Sequence, residues 1–135
     1  MPPINYLAVV VSAVTVFVIG MLWYTALFGR QWVAAHGYTP EQLETMKRGM
    51  GRAYAVSFVC YLVMGVVMAV LIGRMNIAGV LGGVKIGGAT WLGFVATIGL
   101  TANLYSNKSF AAYVIDAGYQ LVFMLVMGVI LAVWR

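Results

Sequence analysis

Long apolar runs alternate with short polar breaks along the chain, and four of these runs are long enough to cross a bilayer. They cover about residues 4–28, 53–73, 80–103 and 110–134. A bilayer core needs roughly 20 apolar residues per helix, and open strands would leave their backbone groups unbonded in lipid. The pattern therefore predicts an all-α membrane protein: a single domain of four transmembrane helices in an antiparallel bundle.

The polar break between the first two runs carries the signals of a short amphipathic helix. Thr39 suits the N-cap position, Pro40 the first helical position, and Gln42 can complete a capping box. We therefore expect a cytoplasmic helix that begins at Pro40. Asn5 is a similar N-cap candidate for the first span. Trp32 lies ahead of the amphipathic helix and is expected at the level of the lipid head groups.

Basic residues lie mostly at the ends of the apolar runs, where they predict the orientation of the chain. Loops one and three, with their borders, contain Arg30, Lys47, Arg48, Arg52 and Lys108, whereas the opposite side has Arg74, Lys85 and Arg135. Cytoplasmic loops are enriched in Lys and Arg. We therefore expect loops one and three in the cytoplasm and both termini outside.

Composition agrees with a lipid environment and excludes several classes of site. The chain is 64% hydrophobic and 8% charged, whereas a soluble domain has about 25% charged residues. The net charge of +5 comes from the scattered basic residues, so no nucleic-acid partner is expected. With one Cys, one His and no phosphate-binding loop or catalytic triad, the sequence predicts no metal and no cofactor.

Small residues recur every fourth position in two of the predicted spans. They are Gly79, Gly83 and Gly87 in the third span and Gly65, Ala69 and Gly73 in the second. Such spacing lets helix backbones approach closely in a membrane. The two faces either pack within one chain or form a self-association surface. Because four short helices enclose little interior, we expect a homo-oligomer.

Asp116 is one of three acidic residues, and it lies inside the fourth apolar run. A carboxylate there is costly in lipid, so it is paired, near an interface or functional. At a rise of about 1.5 Å per residue it lies roughly 9 Å from the cytoplasmic end of its span. Lys85 lies near the opposite end of the third span, where its long stem can reach the interface. An ion pair between Lys85 and Asp116 is therefore not expected.

Several polar and aromatic residues are predicted at the depth of Asp116. Tyr119 and Gln120 follow it by three and four positions and share its helix face. The predicted cytoplasmic-side cluster consists of Trp23, Tyr24, Arg52, Thr101, Asn103, Asp116, Tyr119 and Gln120. It is either a structural anchor, in which Asp116 pairs with Arg52 or accepts hydrogen bonds from Tyr and Asn, or a substrate or ion pathway.

Two Gly-x-x-Trp segments, residues 20–23 and 88–91, give a faint internal echo. The first and third spans run in the same direction, so a two-fold repeat is geometrically possible. The two tryptophans differ in depth along their spans and nothing else matches, so a repeat is not expected.

Three segments resemble a known family. They are residues 20–32 (GMLWYTALFGRQW), 91–97 (WLGFVAT) and 115–119 (IDAGY), the last leading to 126–128 (VMG). Their order and spacing are similar to the bacterial membrane proteins grouped as domain of unknown function 1761. The resemblance covers nearly the whole chain. It implies a four-helix protein of the bacterial inner membrane, with Trp-Tyr near the end of the first helix and Asp or Asn at position 116. It implies no activity.

The sequence favours a small homo-oligomeric transporter or channel with the Asp116 cluster at its cytoplasmic mouth. The alternative is a non-transporting accessory or structural subunit that binds a partner protein or a lipid. A membrane-embedded enzyme has the least support, because a single carboxylic acid without a His, a thiol or metal ligands nearby provides few of the groups that catalysis requires. The expected partners are the lipid bilayer, further copies of the chain and a small solute or ion.

Overall fold

The computed structural model describes residues 3–134, and within that range the chain is helical without a strand. The predicted all-α class is therefore confirmed. The helices are α1 (Tyr6–Leu22), which continues into a π-helical turn (Trp23–Leu27), α2 (Gly29–His36), α3 (Pro40–Arg48), α4 (Met50–Arg74), α5 (Gly79–Thr90), which continues through a second π-helical turn (Trp91–Val95) into α6 (Ala96–Tyr105), and α7 (Phe110–Val133).

Four helical stretches are long and apolar enough to cross a membrane, as predicted. They are span 1 (Tyr6–Leu27), span 2 (Met50–Arg74), span 3 (Gly79–Tyr105) and span 4 (Phe110–Val133). Many large apolar side chains on them are exposed, which suits helices surrounded by lipid. Lys85 is also exposed. Arg135, which contributed to the predicted orientation, lies outside the described residues.

Side-chain caps begin the helices where the sequence predicts them. The Asn5 side chain accepts a hydrogen bond from the backbone N–H of Ala8 at 3.1 Å. Thr39 Oγ1 accepts from the Gln42 N–H at 3.2 Å, and Gln42 Oε1 accepts from the Thr39 N–H at 2.8 Å. The capping box at the start of α3 is therefore confirmed.

Glycines bring spans 3 and 4 into backbone contact. A Cβ atom added at Gly83 would lie 2.6 Å from the carbonyl oxygen of Gly128, and one at Gly87 would lie 2.5 Å from that of Met124. Residues later in α5 thus meet residues earlier in α7, so these helices run in opposite directions. Gly83 and Gly87 are used for packing within one chain, which was the first of the two predicted interpretations.

The other predicted small residues are used in different ways. Gly65 faces Val9 of α1, whose Cγ1 would lie 3.0 Å from an added Cβ, and Ala69 packs against the buried core. Gly73 is half-buried. Gly79 begins α5 with a φ of +79° and no atom within 4 Å of an added Cβ. At Gly79 the glycine therefore serves the backbone conformation and not a helix contact.

The most closely packed part of the core lies toward the chain termini. Val16, Ile72 and Met127 come from three different spans, and each is at most 1% exposed. Ser12 is also buried there, and its hydroxyl donates to the Ala8 carbonyl at 2.8 Å. Toward the other end of the spans, this apolar core gives way to aromatic and polar side chains.

Replacing Gly87 by Ala should destabilise the protein because the new methyl group meets backbone that cannot move aside. We expect Gly87→Ala to lower the free energy of unfolding in detergent by about 1–3 kcal/mol, as measured by denaturant titration. Gly93→Ala is the matched control, since an added Cβ at Gly93 has no atom within 4 Å. Equal stability of the two variants would contradict the close contact between spans 3 and 4.

Candidate functional site

Asp116 is half-buried in span 4 and is held by two aromatic side chains. The Tyr24 hydroxyl donates to Asp116 Oδ1 at 2.6 Å, and the Trp32 indole N–H donates to the same oxygen at 3.2 Å. The rings of Tyr24 and Trp32 meet edge to face, with centroids 5.8 Å apart. Neither donor carries a positive charge. Tyr24 and Trp32 therefore hydrogen-bond the carboxyl group without forming an ion pair with it.

A break at the end of span 1 brings Trp32 back to Asp116. The π-helical turn ends with a hydrogen bond from the Phe28 N–H to the Trp23 carbonyl at 2.8 Å, and Phe28 leaves the helical conformation at φ −127° and ψ 13°. The chain then passes close to its own backbone, where a Cβ at Gly29 would lie 2.9 Å from the Tyr24 carbonyl oxygen. Because α2 begins immediately after this break, Trp32 and Tyr24 reach the same carboxylate.

Two further indoles fix the backbone on either side of Asp116. The Trp23 N–H donates to the Ile115 carbonyl at 3.0 Å, and the Trp91 N–H donates to the Ala117 carbonyl at 3.0 Å. A carbonyl oxygen has two lone pairs, so it can accept an indole N–H in addition to its helical bond. Residues 115–117 are therefore anchored by three tryptophans, which come from span 1, α2 and span 3.

The two Gly-x-x-Trp segments have a shared structural role. Trp23 and Trp91 each begin a π-helical turn, and single π turns are common at functional sites. Although the two residues differ in depth along their spans, their indole nitrogens reach carbonyls only two residues apart on α7. The similarity between the two segments thus corresponds to two similar hydrogen bonds, from Trp23 and from Trp91, to backbone carbonyls of span 4.

Tyr119 is buried beside the Asp116 site but bonds elsewhere. Its hydroxyl donates to the Val16 carbonyl at 2.9 Å and lies 3.3 Å from the Tyr61 hydroxyl. Its ring meets that of Tyr24 with centroids 5.5 Å apart. Gly20 makes room for it, since a Cβ at that position would lie 2.7 Å from the Tyr119 hydroxyl oxygen. Tyr119 therefore packs the wall of the site without bonding to the carboxylate.

Asp116 lines two cavities. The larger, of about 370 Å³, we call the aromatic cavity, and its aromatic walls are Phe17, Tyr24, Trp32, Tyr54, Tyr61 and Tyr119. The smaller, of about 190 Å³, we call the polar cavity, and its polar walls include Asn103, Ser106, Lys108, Tyr113 and Gln120. A ligand in either cavity would meet the carboxylate.

The predicted cluster is only partly assembled around Asp116. Tyr24 bonds to Asp116, while Asn103 and Gln120 line the polar cavity with it. Thr101 is exposed and bonds to the Thr97 carbonyl of its own helix. Thr101 therefore does not contribute to the site.

Arg52 does not neutralise Asp116, contrary to one predicted interpretation. It is exposed in the first turn of α4, and within residues 3–134 the ion pair found joins Lys47 to Glu44 at 3.7 Å. An exposed guanidinium at the end of a span can be solvated by water and head groups. The carboxylate meanwhile finds its partners in Tyr24 and Trp32.

The hydrogen bond from Trp32 to Asp116 was not predicted from the sequence, which gave Trp32 only an expected position near the head groups. This bond depends on the helix break at Phe28 and Gly29, which hydrophobic periodicity does not predict. One feature of the sequence pointed to Trp32: the first segment that resembles the family runs from residue 20 through Trp32 without a gap.

The side chains around Asp116 do not suit a metal ion that needs several protein ligands. Within the described part of the chain, no three His, Cys, Asp or Glu residues lie together. Buried side-chain nitrogen and oxygen atoms there all have hydrogen-bond partners. The site instead offers one carboxylate, with aromatic side chains on the side of the aromatic cavity and neutral polar groups and Lys108 on the side of the polar cavity.

The chain has four helices that are long and apolar enough to span a membrane, which is consistent with the class of multi-pass helical membrane proteins. The profile of a family described as "Protein of unknown function (DUF1761)" matches residues 7–132, and the chain belongs to that family. The resemblance seen in the sequence is thereby confirmed. Comparisons with curated proteins and with solved structures gave no match. Because the family description names no activity, function must be argued from the site.

The Tyr24–Asp116 contact should appear as an energetic coupling between the two side chains. Tyr24→Phe removes a hydrogen bond to a charged group, for which we expect a loss of about 1.5–3 kcal/mol of stability. Combined with Asp116→Ala, the two losses should be non-additive by about 0.5–3 kcal/mol. Unfolding free energies of the single and double variants measure this coupling.

Glu44→Ala is the matched control for this cycle, because it removes an exposed carboxylate outside the four spans. Its effect should add to that of Tyr24→Phe within about 0.5 kcal/mol. Additive behaviour in both cycles would contradict the hydrogen bond between Tyr24 and Asp116.

Proposed function

We propose that this protein is a small homo-oligomeric membrane transporter or channel in which Asp116 binds the transported cation or proton. One observation carries the proposal: the carboxylate lies within a membrane-spanning helix and between two cavities, and its hydrogen-bond partners are the neutral side chains of Tyr24 and Trp32. Carboxylates inside membrane segments commonly mark ion and substrate pathways.

The charge of the site determines the sign of its ligand. Hydrogen bonds from neutral donors orient a carboxylate and lower the cost of its burial, but they leave its charge in place. Within residues 3–134 no Lys or Arg forms an ion pair with Asp116. A proton or a bound cation would neutralise the charge. Of the residues that the structure describes, Asp116 is the one charged residue that lines the aromatic cavity, so this cavity should attract positive ligands and reject anions.

The positions of the cavities support entry from the cytoplasm. The aromatic cavity reaches Met50 at the start of span 2, and the polar cavity reaches Ser106 and Lys108 in loop three. Loops one and three, with their borders, carry five of the eight basic residues, so the positive-inside rule supports a cytoplasmic opening. The spans would then form an antiparallel bundle in the bacterial inner membrane, with α3 as an amphipathic helix on the cytoplasmic surface.

The tight packing at the opposite end supports an oligomeric pathway. Val16, Ile72 and Met127 fill the interior between the site and the chain termini. A ligand at Asp116 therefore has no open route through this packed region of a single chain. We place the remaining route at an interface between copies, where exposed apolar faces are already present.

Flux in proteoliposomes tests the proposed function. With an inside-negative membrane potential, we expect the native protein to admit protons or cations faster than protein-free liposomes do. Asp116→Asn keeps the size of the side chain but removes its charge, and it should reduce this flux at least about tenfold, equivalent to about 1.4 kcal/mol.

Glu44→Gln is the control, because it makes the same chemical change at an exposed carboxylate outside the spans. It should retain native flux. Cross-linking in the same proteoliposomes should yield multimers of the chain. Absence of cation flux, or equal flux through native protein and Asp116→Asn, would overturn the proposal and favour an accessory subunit.

A further inference from the structure

We propose that the ligand of the aromatic cavity is a hydrophobic organic cation, such as a substituted ammonium ion. This inference rests on the proposed role of Asp116 as a cation site and names the class of cation. It depends on three features of the cavity: its size, its aromatic walls and the Asp116 carboxylate in its lining.

The volume of the aromatic cavity suits an organic molecule. At about 370 Å³, it lies within the range of roughly 300–1,000 Å³ that is typical of small-molecule sites. Its walls also include Met21, Met46 and Met50. Methionine side chains are flexible and polarisable, and they adapt to ligands of different shape.

Aromatic rings from several helices surround this space. Phe17 and Tyr54 meet with ring centroids 5.5 Å apart, at the contact between α1 and α4. Tyr24, Trp32 and Tyr119 form a second group of touching rings next to the carboxylate. The faces of such rings attract organic cations, and a cage of them favours a cation with apolar substituents.

The carboxylate has one oxygen available to a ligand. Within the described residues, the Asp116 side chain accepts two hydrogen bonds, from Tyr24 and Trp32, and both go to Oδ1. Since buried polar side-chain atoms there all have partners, the unpartnered Oδ2 is accessible from the space around it. An ammonium N–H could bond to Oδ2, and a quaternary cation could pair with it by charge alone.

Hard metal ions fit this cavity poorly. Ca²⁺ takes six to eight oxygen ligands, and Mg²⁺ needs near-ideal octahedral oxygen coordination. The cavity supplies one carboxylate and the neutral hydroxyls of Thr25, Ser57 and several tyrosines among aromatic and thioether side chains, and no cluster of three His, Cys, Asp or Glu residues occurs between residues 3 and 134. An organic cation brings its own apolar surface and therefore needs fewer polar ligands.

Equilibrium binding to the full-length protein in nanodiscs tests this inference without requiring transport. Tetraphenylphosphonium is the probe, and tetraphenylborate, which has nearly the same shape and the opposite charge, is its control. The phosphonium should bind saturably, whereas the borate should bind at least about tenfold more weakly. This comparison uses native protein, so it does not depend on whether a variant folds.

Two variants locate the binding site. Asp116→Asn should weaken phosphonium binding at least about tenfold, and Tyr54→Leu should weaken it about two- to fivefold through loss of one aromatic wall. Tyr105→Leu is the control, because Tyr105 is 87% exposed and does not line the cavity. Equal binding of phosphonium and borate, or phosphonium binding unaffected by Asp116→Asn, would overturn the inference.

Failure of this inference is distinguishable from failure of the proposed function. If Asp116-dependent proton flux occurs but tetraphenylphosphonium does not bind, the ligand class is wrong and the transport role stands. If the phosphonium binds in an Asp116-dependent manner but no flux occurs, the organic-cation site stands and the transport role is wrong.

Discussion

A carboxylate within a membrane span must obtain hydrogen bonds from protein, because the surrounding lipid supplies none. Asp116 obtains them from Tyr24 at the end of span 1 and from Trp32 on α2. The break at Phe28 lies between these two donors, which are eight positions apart in the chain and bond to one oxygen. The π-helical turn and the short α2 helix thus accompany the satisfaction of this group. They also place aromatic rings around it.

The same requirement explains how span 4 is held by its neighbours. Trp23 and Trp91 donate to the carbonyls that flank Asp116. Farther along α7 from the carboxylate, Gly83 and Gly87 allow α5 to pack closely against α7. Hydrophobic attraction between helices is weak in lipid, so backbone proximity and hydrogen bonds must supply most of the specificity. Rigid neighbours on both sides leave the carboxylate oriented and its second oxygen available.

The sequence predicted the spans and the helix caps, because these follow from local hydropathy and capping chemistry. The position of Asp116 inside the fourth span, with a Tyr among its hydrogen-bond donors, was also one of the predicted arrangements. The sequence also placed Tyr24 at the right depth. The bond between Trp32 and Asp116 was not predictable in this way, since it depends on a helix break at Phe28. Arg52 was grouped with Asp116 by depth alone, and depth does not specify which way a side chain lies around its helix. The spacing of glycines at every fourth position predicted a close helix contact at Gly87, but it did not predict that the partner helix is α7.

The indole ¹H–¹⁵N spectrum of the protein in nanodiscs tests the central claim most directly, because the chain has four tryptophans and Trp32 alone among them is bonded to the Asp116 carboxylate within the described structure. During titration with tetraphenylphosphonium, the Trp32 signal should shift saturably, while the signals of Trp23 and Trp91 move much less. In Asp116→Asn, the Trp32 signal should start at a different position and no longer respond to the cation. A Trp32 signal unaffected by both the substitution and the cation would contradict the account.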